Sequence, residues 1–330
     1  LNNNSKITNN GYILNQAVVN NNATGLITSN HIMRVGSSGI MRNFGTYDIA
    51  LGSFTNDGIY INRENGLIIS QANLVNNNSY TNRGKFKVFK VSIVNNNSSI
   101  INDSSVINYG VINNLASGTV TLNSTSIVDN YNKITNANTG TITNDGLITN
   151  KSLGSSNFDS INTSDIYGLL ENTGTINLDN GNFTNSGKIQ NNVTTGIINN
   201  KSVLVSDSLV LNFGTINNIN SSRFDNTGTL ENKSSGTFIN SSTINNNATP
   251  KLGIINNIGI ISNSRIGTDH GEINNRSKIH NLLSGSDSGL ISNYNVITND
   301  SLIINDAVIK IFKTGQIINN EELRENYEIY

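Results

Sequence analysis

One short unit recurs along most of this chain and limits the folds open to it more than any other feature. It reads small residue, any residue, apolar residue, any residue, Asn, and two copies follow each other directly at Gly140–Asn144 and Gly146–Asn150. In an extended strand, residues two apart share a face, so the small residue, the apolar centre and the Asn point the same way. Nearly all successive apolar centres lie six or eight residues apart, with a few steps of about twelve where one centre is weak, and the helical steps of three and four are absent. The pattern excludes an amphipathic helical repeat and predicts short strands.

The steps between apolar centres, taken in threes, add up to about 18–20 residues. Ile255, Ile273 and Ile291 lie 18 residues apart, and a second series six residues later repeats this spacing. We therefore predict an all-β fold, a three-sided, right-handed parallel β-solenoid with one short strand per side, in which these residues stack on one another. The predicted core residues include Ile142, Ile148, Ile176, Ile198, Ile216, Ile273 and Ile291.

The domain organisation follows from where the repeat persists. It predicts one solenoid domain over residues 1–320, with residues 321–330 as a C-terminal cap or docking tail, since that segment has four Glu and one Arg. The pattern is weakest at Lys151–Tyr167 and around Gly36–Ala50. We interpret these two stretches as loops that leave a corner, or as turns with degenerate centres.

The Asn of each unit is predicted to lie at a corner of the coil. Asn tolerates the left-handed backbone conformation that a corner can require, and stacked Asn amides can form hydrogen bonds from turn to turn as a ladder. The Gly or Ser that opens the next side is expected to serve the same corner. The predicted corner residues include Asn144, Asn150, Asn200, Asn218, Asn232 and Asn275.

Repeats such as Gly174-Thr-Ile-Asn, Gly196–Asn200 and Gly214–Asn218, in coils of about nineteen residues, resemble the filamentous-haemagglutinin type of right-handed β-helix. That family comprises secreted adhesins and, more loosely, viral fibres. The resemblance implies a surface-exposed, adhesin-like or fibre-like protein. The family tends to use Ala where this chain has Asn.

Composition excludes several classes of function. The net charge of −1 provides no long-range field for nucleic acid or anionic lipid, and no run of 18 apolar residues is present to insert into a membrane. Without Cys, the chain has neither disulfides nor thiolate metal sites. We expect no cofactor and no metal ion.

Candidate catalytic groups are few. Asp269 and His270 sit together, with Asp287 later in the chain, but Asp and Gly are ordinary corner residues and no second cluster of carboxylates converges on them. We interpret them as turn residues. The remaining histidines, His31 and His280, lack the spacing of metal ligands and are expected at the surface.

Two Thr-x-Thr pairs, Thr119/Thr121 and Thr141/Thr143, resemble the ladders of ice-binding proteins. We do not expect them to recur on one side of the coil at the spacing of its turns.

Three functions remain open: a structural subunit of an extracellular or virion-surface fibre, an adhesin or glycan-binding rod, and a polysaccharide-active enzyme. Outward positions are polar, without an aromatic or acidic patch, which favours the fibre and a non-catalytic role. Because the chain opens at Leu1 within repeat-like sequence, we expect a processed or trimmed chain without an N-terminal cap. We therefore predict head-to-tail self-assembly through the tail residues Tyr327, Ile329 and Tyr330, with surface glycans as an alternative partner.

Overall fold

The computed structural model describes residues 1–115, 117–137, 140–150, 169–192, 195–247, 253–257, 260–263, 265–266, 269–270, 272–276, 278–281, 283–284, 287–294, 296–312 and 316–319. The chain divides into two compact units, Leu1–Gln190 and Asn191–Tyr330. Every regular element in the described residues is a β-strand, most of them four residues long.

The first unit contains strands β1 to β27, numbered in chain order. They are β1 Asn2–Asn3, β2 Lys6–Asn9, β3 Ile13–Asn15, β4 Val18–Asn21, β5 Leu26–Ser29, β6 Ile32–Val35, β7 Ile40–Asn43, β8 Thr46–Ile49, β9 Ser53–Asn56, β10 Ile59–Asn62, β11 Leu67–Ser70, β12 Asn73–Asn76, β13 Ser79–Asn82, β14 Lys85–Val88, β15 Ile93–Asn96, β16 Ser99–Asn102, β17 Ser105–Asn108, β18 Val111–Asn114, β19 Thr119–Leu122, β20 Ile127–Asn130, β21 Lys133–Asn136, β22 Thr141–Asn144, β23 Leu147–Asn150, β24 Leu169–Asn172, β25 Thr175–Leu178, β26 Asn182–Asn185 and β27 Lys188–Asn191.

The second unit contains strands β28 to β48. They are β28 Ile197–Asn200, β29 Val203–Ser206, β30 Leu209–Asn212, β31 Thr215–Asn218, β32 Arg223–Asn226, β33 Thr229–Asn232, β34 Thr237–Asn240, β35 Thr243–Asn246, β36 Ile254–Asn257, β37 Ile260–Asn263, β38 Arg265–Ile266, β39 Asp269–His270, β40 Glu272–Asn275, β41 Lys278–Asn281, β42 Leu283–Ser284, β43 Asp287–Ser288, β44 Leu290–Asn293, β45 Val296–Asn299, β46 Leu302–Asn305, β47 Val308–Ile311 and β48 Gln316–Asn319.

Each strand of the first unit pairs in parallel with the strand three places along the chain, which produces three parallel sheets. Sheet A runs β1-β4-β7-β10-β13-β16-β19-β22-β25, sheet B runs β2-β5-β8-β11-β14-β17-β20-β23-β26, and sheet C runs β3-β6-β9-β12-β15-β18-β21-β24-β27. Centres stack on centres, as in the pairing of Tyr60 with Tyr80. The predicted three-sided parallel β-solenoid is confirmed.

The second unit has the same three-sided construction. Sheet D runs β28-β31-β34-β37-β44-β47, sheet E runs β29-β32-β35-β40-β45-β48, and sheet F runs β30-β33-β36-β41-β46. Two short antiparallel hairpins, β38–β39 and β42–β43, are inserted between successive sides of the coil.

These hairpins correct the predicted stacking in this unit. Ile255 does not stack on Ile273; its partner in sheet F is Ile279, 24 residues later. Ile291 pairs in sheet D with Ile261, which lies 30 residues earlier in the chain. The inserted hairpins lengthen these turns. Residues that lie 18 apart in the sequence, such as Ile255, Ile273 and Ile291, therefore belong to three different sheets.

The second and fourth residues of a typical strand face the interior, and the first and third face outward. Around Gly36–Ala50 the chain is not a loop, because β7 and β8 place Met41 and Tyr47 in the core, both 0% exposed. Tyr47 packs edge-on against Phe54, with 5.4 Å between ring centroids. The other weak stretch, Lys151–Tyr167, lies outside the described residues.

Candidate functional site

The most regular chemical feature of both units is a set of buried Asn ladders at the fourth, inward position of the strands. In each ladder, Nδ2 of one Asn donates to Oδ1 of the Asn one turn later, over 2.6–2.9 Å. In the first unit the ladders include Asn3, Asn21, Asn43, Asn62, Asn82 and Asn102 in sheet A, Asn56, Asn76, Asn96, Asn114, Asn136 and Asn172 in sheet C, and the pair Asn108 and Asn130 in sheet B.

The second unit has a ladder on all three sides. They comprise Asn200, Asn218, Asn240, Asn263 and Asn293 in sheet D, Asn226, Asn246, Asn275 and Asn299 in sheet E, and Asn212, Asn232, Asn257, Asn281 and Asn305 in sheet F. Every one of these bonds has its donor on the earlier turn, so each ladder has a direction.

Each ladder amide also ties together neighbouring sides of the coil. Asn62 Nδ2 donates to Oδ1 of Asn82, to the carbonyl of Gly66 at 3.1 Å and to the carbonyl of Lys85 at 3.2 Å. A buried primary amide is costly unless its donors and acceptor are paired, and here the preceding turn, the adjoining corner and the next turn provide the partners. The ladder therefore depends on stacking, and it stabilises stacking in return.

The ladder residues do not have the left-handed backbone that the sequence predicted for them. The described non-glycine residues with positive φ are Asn65, Ser117, Asn220 and Ser221, which lie outside the ladders. The ladder Asn belong to the strands themselves, because amide pairing and not backbone conformation selects the residue. Glycine is required for a related reason: a Cβ at Gly66 would lie 2.4 Å from Asn62 Oδ1.

Some turns replace the ladder amide by an aliphatic or a hydroxyl side chain. In sheet A, Leu122 follows Asn102, which donates instead to the carbonyl of Ser104 at 2.6 Å. In sheet B, Val88 follows Ser70, and Ser70 Oγ forms its hydrogen bond with Oγ of Ser92 at the next corner, at 2.7 Å. The interior thus carries amide, hydroxyl and aliphatic stretches along the direction of stacking.

The structure places the predicted core residues inward. Ile142, Ile148, Ile176, Ile198, Ile216, Ile273 and Ile291 are all buried, and Ile216 is 0% exposed. Asn144, Asn200, Asn218, Asn232 and Asn275 are buried at fourth positions, and Asn150 ends β23. The sequence reasoning did not name Met41, Tyr47, Leu170, Phe183 and Ile189 among the centres, and these are buried too. Tyr327, Ile329 and Tyr330 lie outside the described residues.

The candidate catalytic residues lie on the two hairpins. Asp269 and His270 form β39, and Asp287 begins β43 in the other hairpin. His280 Nε2 lies 2.6 Å from Asp306 Oδ2, and His31 is exposed. Across the described ranges, no three His, Cys, Asp or Glu side chains are grouped so that they could hold a metal ion, and no helix there could cross a membrane.

A polar chain runs along one corner of the first unit. Asp57 accepts hydrogen bonds from Arg34 Nε at 2.5 Å and from Asn77 Nδ2 at 2.8 Å, and Asn97 Nδ2 donates to Asn77 at 2.8 Å. Partial burial opposes ionisation of Asp57, but the bond from Asn77 and the bond and charge of Arg34 outweigh it, so the pKa of Asp57 is lowered. Corner side chains here satisfy one another.

The three outer faces of the first unit differ in charge. Outward charged residues are Arg42 in sheet A, then Lys6, Asp48, Lys85, Lys87 and Asp129 in sheet B, and Arg34, Lys133, Glu171 and Lys188 in sheet C. From β10 to β25, sheet A has no outward charge on six successive strands.

The expectation for the two Thr-x-Thr pairs was wrong. Thr119 pairs with Thr141, and Thr121 with Thr143, on adjacent turns of sheet A. The paired residues are 22 apart in the sequence because the corners between their strands are long. A search at a spacing of 18–20 residues therefore misses the pairing.

Comparison with known proteins leaves the family open. No protein-family model matches the chain, and no curated protein matches it. Among solved structures, the crystal structure of a TibC-catalysed, hyper-glycosylated TibA fragment aligns over 97% of both chains, with 12% identity and a TM-score of 0.29. At these values the alignment carries no argument about function. The filamentous-haemagglutinin resemblance stays a prediction.

Proposed function

We propose that this chain is a structural subunit of a fibre or rod on the outside of a cell or virion, with a non-catalytic role. The observation that carries the proposal is the use of the buried polar groups. The ladder amides of both units donate hydrogen bonds to the next turn, as Asn62 does to Asn82 and Lys85. Their chemistry serves stacking, which is the requirement of a stiff structural element.

The interior cavities agree with this role. In the first unit a cavity of about 70 Å³ lies among inward side chains such as Val106, Val120 and Ile134, and in the second unit a smaller one lies among Ile residues. A site for a polar substrate requires polar groups that converge on a shared space. These cavities instead arise where small aliphatic residues incompletely fill the coil.

Head-to-tail assembly of copies is part of the proposal. The donors of every ladder face the following turn, so one end of a stack offers amide donors and the other offers amide acceptors. Such stacks match only when joined in the same sense, and a heterologous contact of this kind builds an open filament. The tail residues Tyr327, Ile329 and Tyr330 are proposed to dock on the next copy, and the surface location rests on the resemblance of the repeat to secreted adhesins.

Electron microscopy of the purified chain tests assembly, with deletion of Glu321–Tyr330 as the decisive variant. We expect filaments from the intact chain and short particles from the deletion variant. The variant Glu325→Gln is a matched control that keeps Tyr327 and Ile329 and should still form filaments. Filaments of equal length from the deletion variant would refute docking by the tail.

Turnover assays on a panel of polysaccharides test the non-catalytic role. We expect no release of reducing ends or unsaturated products. Release that is abolished by Asp269→Asn but retained in Asp207→Asn would establish an enzyme and overturn the proposal.

A further inference from the structure

The outer face of sheet A carries a continuous row of hydroxyl groups. The first, outward positions of β13, β16, β19, β22 and β25 are Ser79, Ser99, Thr119, Thr141 and Thr175, and each is in register with the next. At the corresponding positions on the same turns of sheets B and C, Ser105 is the one hydroxyl residue, and the others are Lys, Ile, Leu, Val or Asn. We call the five residues the hydroxyl row.

A second row runs beside it, two residues further along each strand. It contains Thr81, Ile101, Thr121, Thr143 and Asn177. Stacked strands lie about 4.8 Å apart and residues two apart along a strand about 6.6 Å apart, so the hydroxyl row extends for about 19 Å. The two rows form a periodic surface of hydroxyl, branched aliphatic and amide groups.

The hydroxyls of this row are not engaged by the protein. The backbone carbonyls of Ser99, Thr119 and Thr141 accept bonds from the ladder residues Asn76, Asn96 and Asn114. Within the described part of the chain, the five side-chain hydroxyls themselves have no protein partner. Corner residues behave differently, since Asp57, Asn77 and Asn97 bond to one another.

We propose that this face of sheet A binds an uncharged polysaccharide chain laid along the hydroxyl row. The strands from β10 to β25 carry no outward charge, so they offer no cation to pair with an anionic polysaccharide and have no charge to desolvate beneath a neutral one. Free hydroxyls both donate and accept, as sugar hydroxyls do. The methyl groups of Thr and the side chains of Ile61 and Ile101 provide apolar contact for the C–H faces of the sugar rings.

A second copy of the chain is the less suitable occupant. Five strands about 19 Å deep and roughly 10–13 Å wide present about 200–250 Å² of flat area per copy, well below the roughly 800 Å² per partner of a stable interface. Face-to-face packing would also bury the hydroxyl row away from water, which is costly for every hydroxyl that finds no partner. A polysaccharide chain needs only a strip of this width, and its own hydroxyls can form hydrogen bonds with the protein hydroxyls that it covers.

Co-sedimentation with insoluble polysaccharides tests the proposal. The probes are microcrystalline cellulose and chitin, which are neutral, and calcium pectate, which is anionic. We expect the wild type to sediment with at least one neutral probe and not with pectate. Thr141→Lys places a charge in the middle of the hydroxyl row and should reduce the bound fraction about tenfold or more. Thr141→Val keeps the shape, removes the hydroxyl and should weaken binding by a few-fold.

The matched control is Ser105→Lys, which makes the same change at the first position of β17 on the outer face of sheet B. Lys already occupies such positions at Lys85 and Lys133, so both lysine variants should fold, and far-UV circular dichroism verifies this. Ser105→Lys should bind like the wild type. Equal loss in both lysine variants, or no sedimentation with either neutral probe, would overturn the proposal.

Two further outcomes would assign the face to another occupant and thereby also overturn the proposal. One is a dimer in sedimentation equilibrium that Thr141→Lys dissociates and Ser105→Lys does not. The other is thermal hysteresis in freezing solutions that depends on Thr141, which would identify ice as the ligand. The inference is independent of filament formation, because binding is measured on each variant whatever its length.

Discussion

Asn62 donates through Nδ2 to Oδ1 of Asn82, one turn further along the first unit, over 2.8 Å. Both side chains are buried, so neither can replace this bond with one to water. Asn62→Ala should lower the free energy of unfolding by about 1–3 kcal/mol, because it leaves the Oδ1 of Asn82 unpaired. Urea unfolding followed by circular dichroism measures the change. The control Asn73→Ala removes an exposed amide and should stay within about 0.5 kcal/mol of the wild type.

Gly66 and Gly11 form a second matched pair. A Cβ at Gly66 would lie 2.4 Å from Asn62 Oδ1 and 2.5 Å from the carbonyl of Asn43, whereas a Cβ at Gly11 would meet nothing within 4 Å. Gly66→Ala should therefore destabilise the first unit by about 1–3 kcal/mol through strain. Gly11→Ala should be neutral. Equal melting temperatures of the two variants would contradict the close approach at Gly66.

The cavity in the first unit predicts that one core residue can be enlarged with benefit. Val106 lines the cavity, and Val106→Ile adds one methylene to it, for a gain of about 0.5–1 kcal/mol in stability. Val210 in the second unit is 0% exposed, and Val210→Ile should cost about 1–3 kcal/mol by overpacking. Scanning calorimetry of the two variants measures both changes. A loss of stability in Val106→Ile would show that the cavity closes in solution.

Buried tyrosines predict sensitivity to alkali. Burial raises the pKa of Tyr60 and Tyr80 well above the ordinary value, and nearby tyrosines raise that of Tyr60 further. The unfolded chain ionises first as the pH rises through about 10, so the stabilisation present below that pH is lost above it. Urea midpoints measured from pH 8 to 11 should fall steeply for the wild type.

The double variant Tyr60→Phe/Tyr80→Phe should flatten that decline, because it removes two phenols that ionise only on unfolding. It also removes two buried hydroxyls that have no hydrogen-bond partner in the described structure. Tyr12→Phe is the control, since Tyr12 is 57% exposed. An unchanged pH profile in the double variant would mean that other groups cause the alkaline loss.

The repeat period predicts the inward centres well, because residues two apart in a strand point to the same face of the sheet. It predicts sheet membership less well, because corner length varies independently. The pairing of Ile244 with Ile273 across 29 residues illustrates this, since the β38–β39 hairpin lies between them. Met41 and Tyr47 were missed although Gly39–Asn43 has the form of the repeat unit, because the strands β6 and β8 on either side end in Val35 and Ile49 instead of Asn.

The outer face of sheet A was the least predictable feature for the same reason. Thr119 and Thr141 are 22 residues apart, and Thr141 and Thr175 are 34 apart, yet all three lie in one row. A spacing search for a fixed repeat cannot detect such a row. Register set by hydrogen bonding between turns reveals it at once.

In the Asn ladders, each residue recognises a copy of itself. A complete turn that ends its strands in Asn can therefore be duplicated or deleted by unequal recombination without any compensating change in its neighbours. Corner insertions do not disturb the ladders either. The β42–β43 hairpin lies between the strands of Asn281 and Asn293, and Asn281 still pairs with Asn257 and Asn293 with Asn263. Among related genes, the number of turns and the decoration of corners should vary freely, while the inward fourth position of each strand stays under selection.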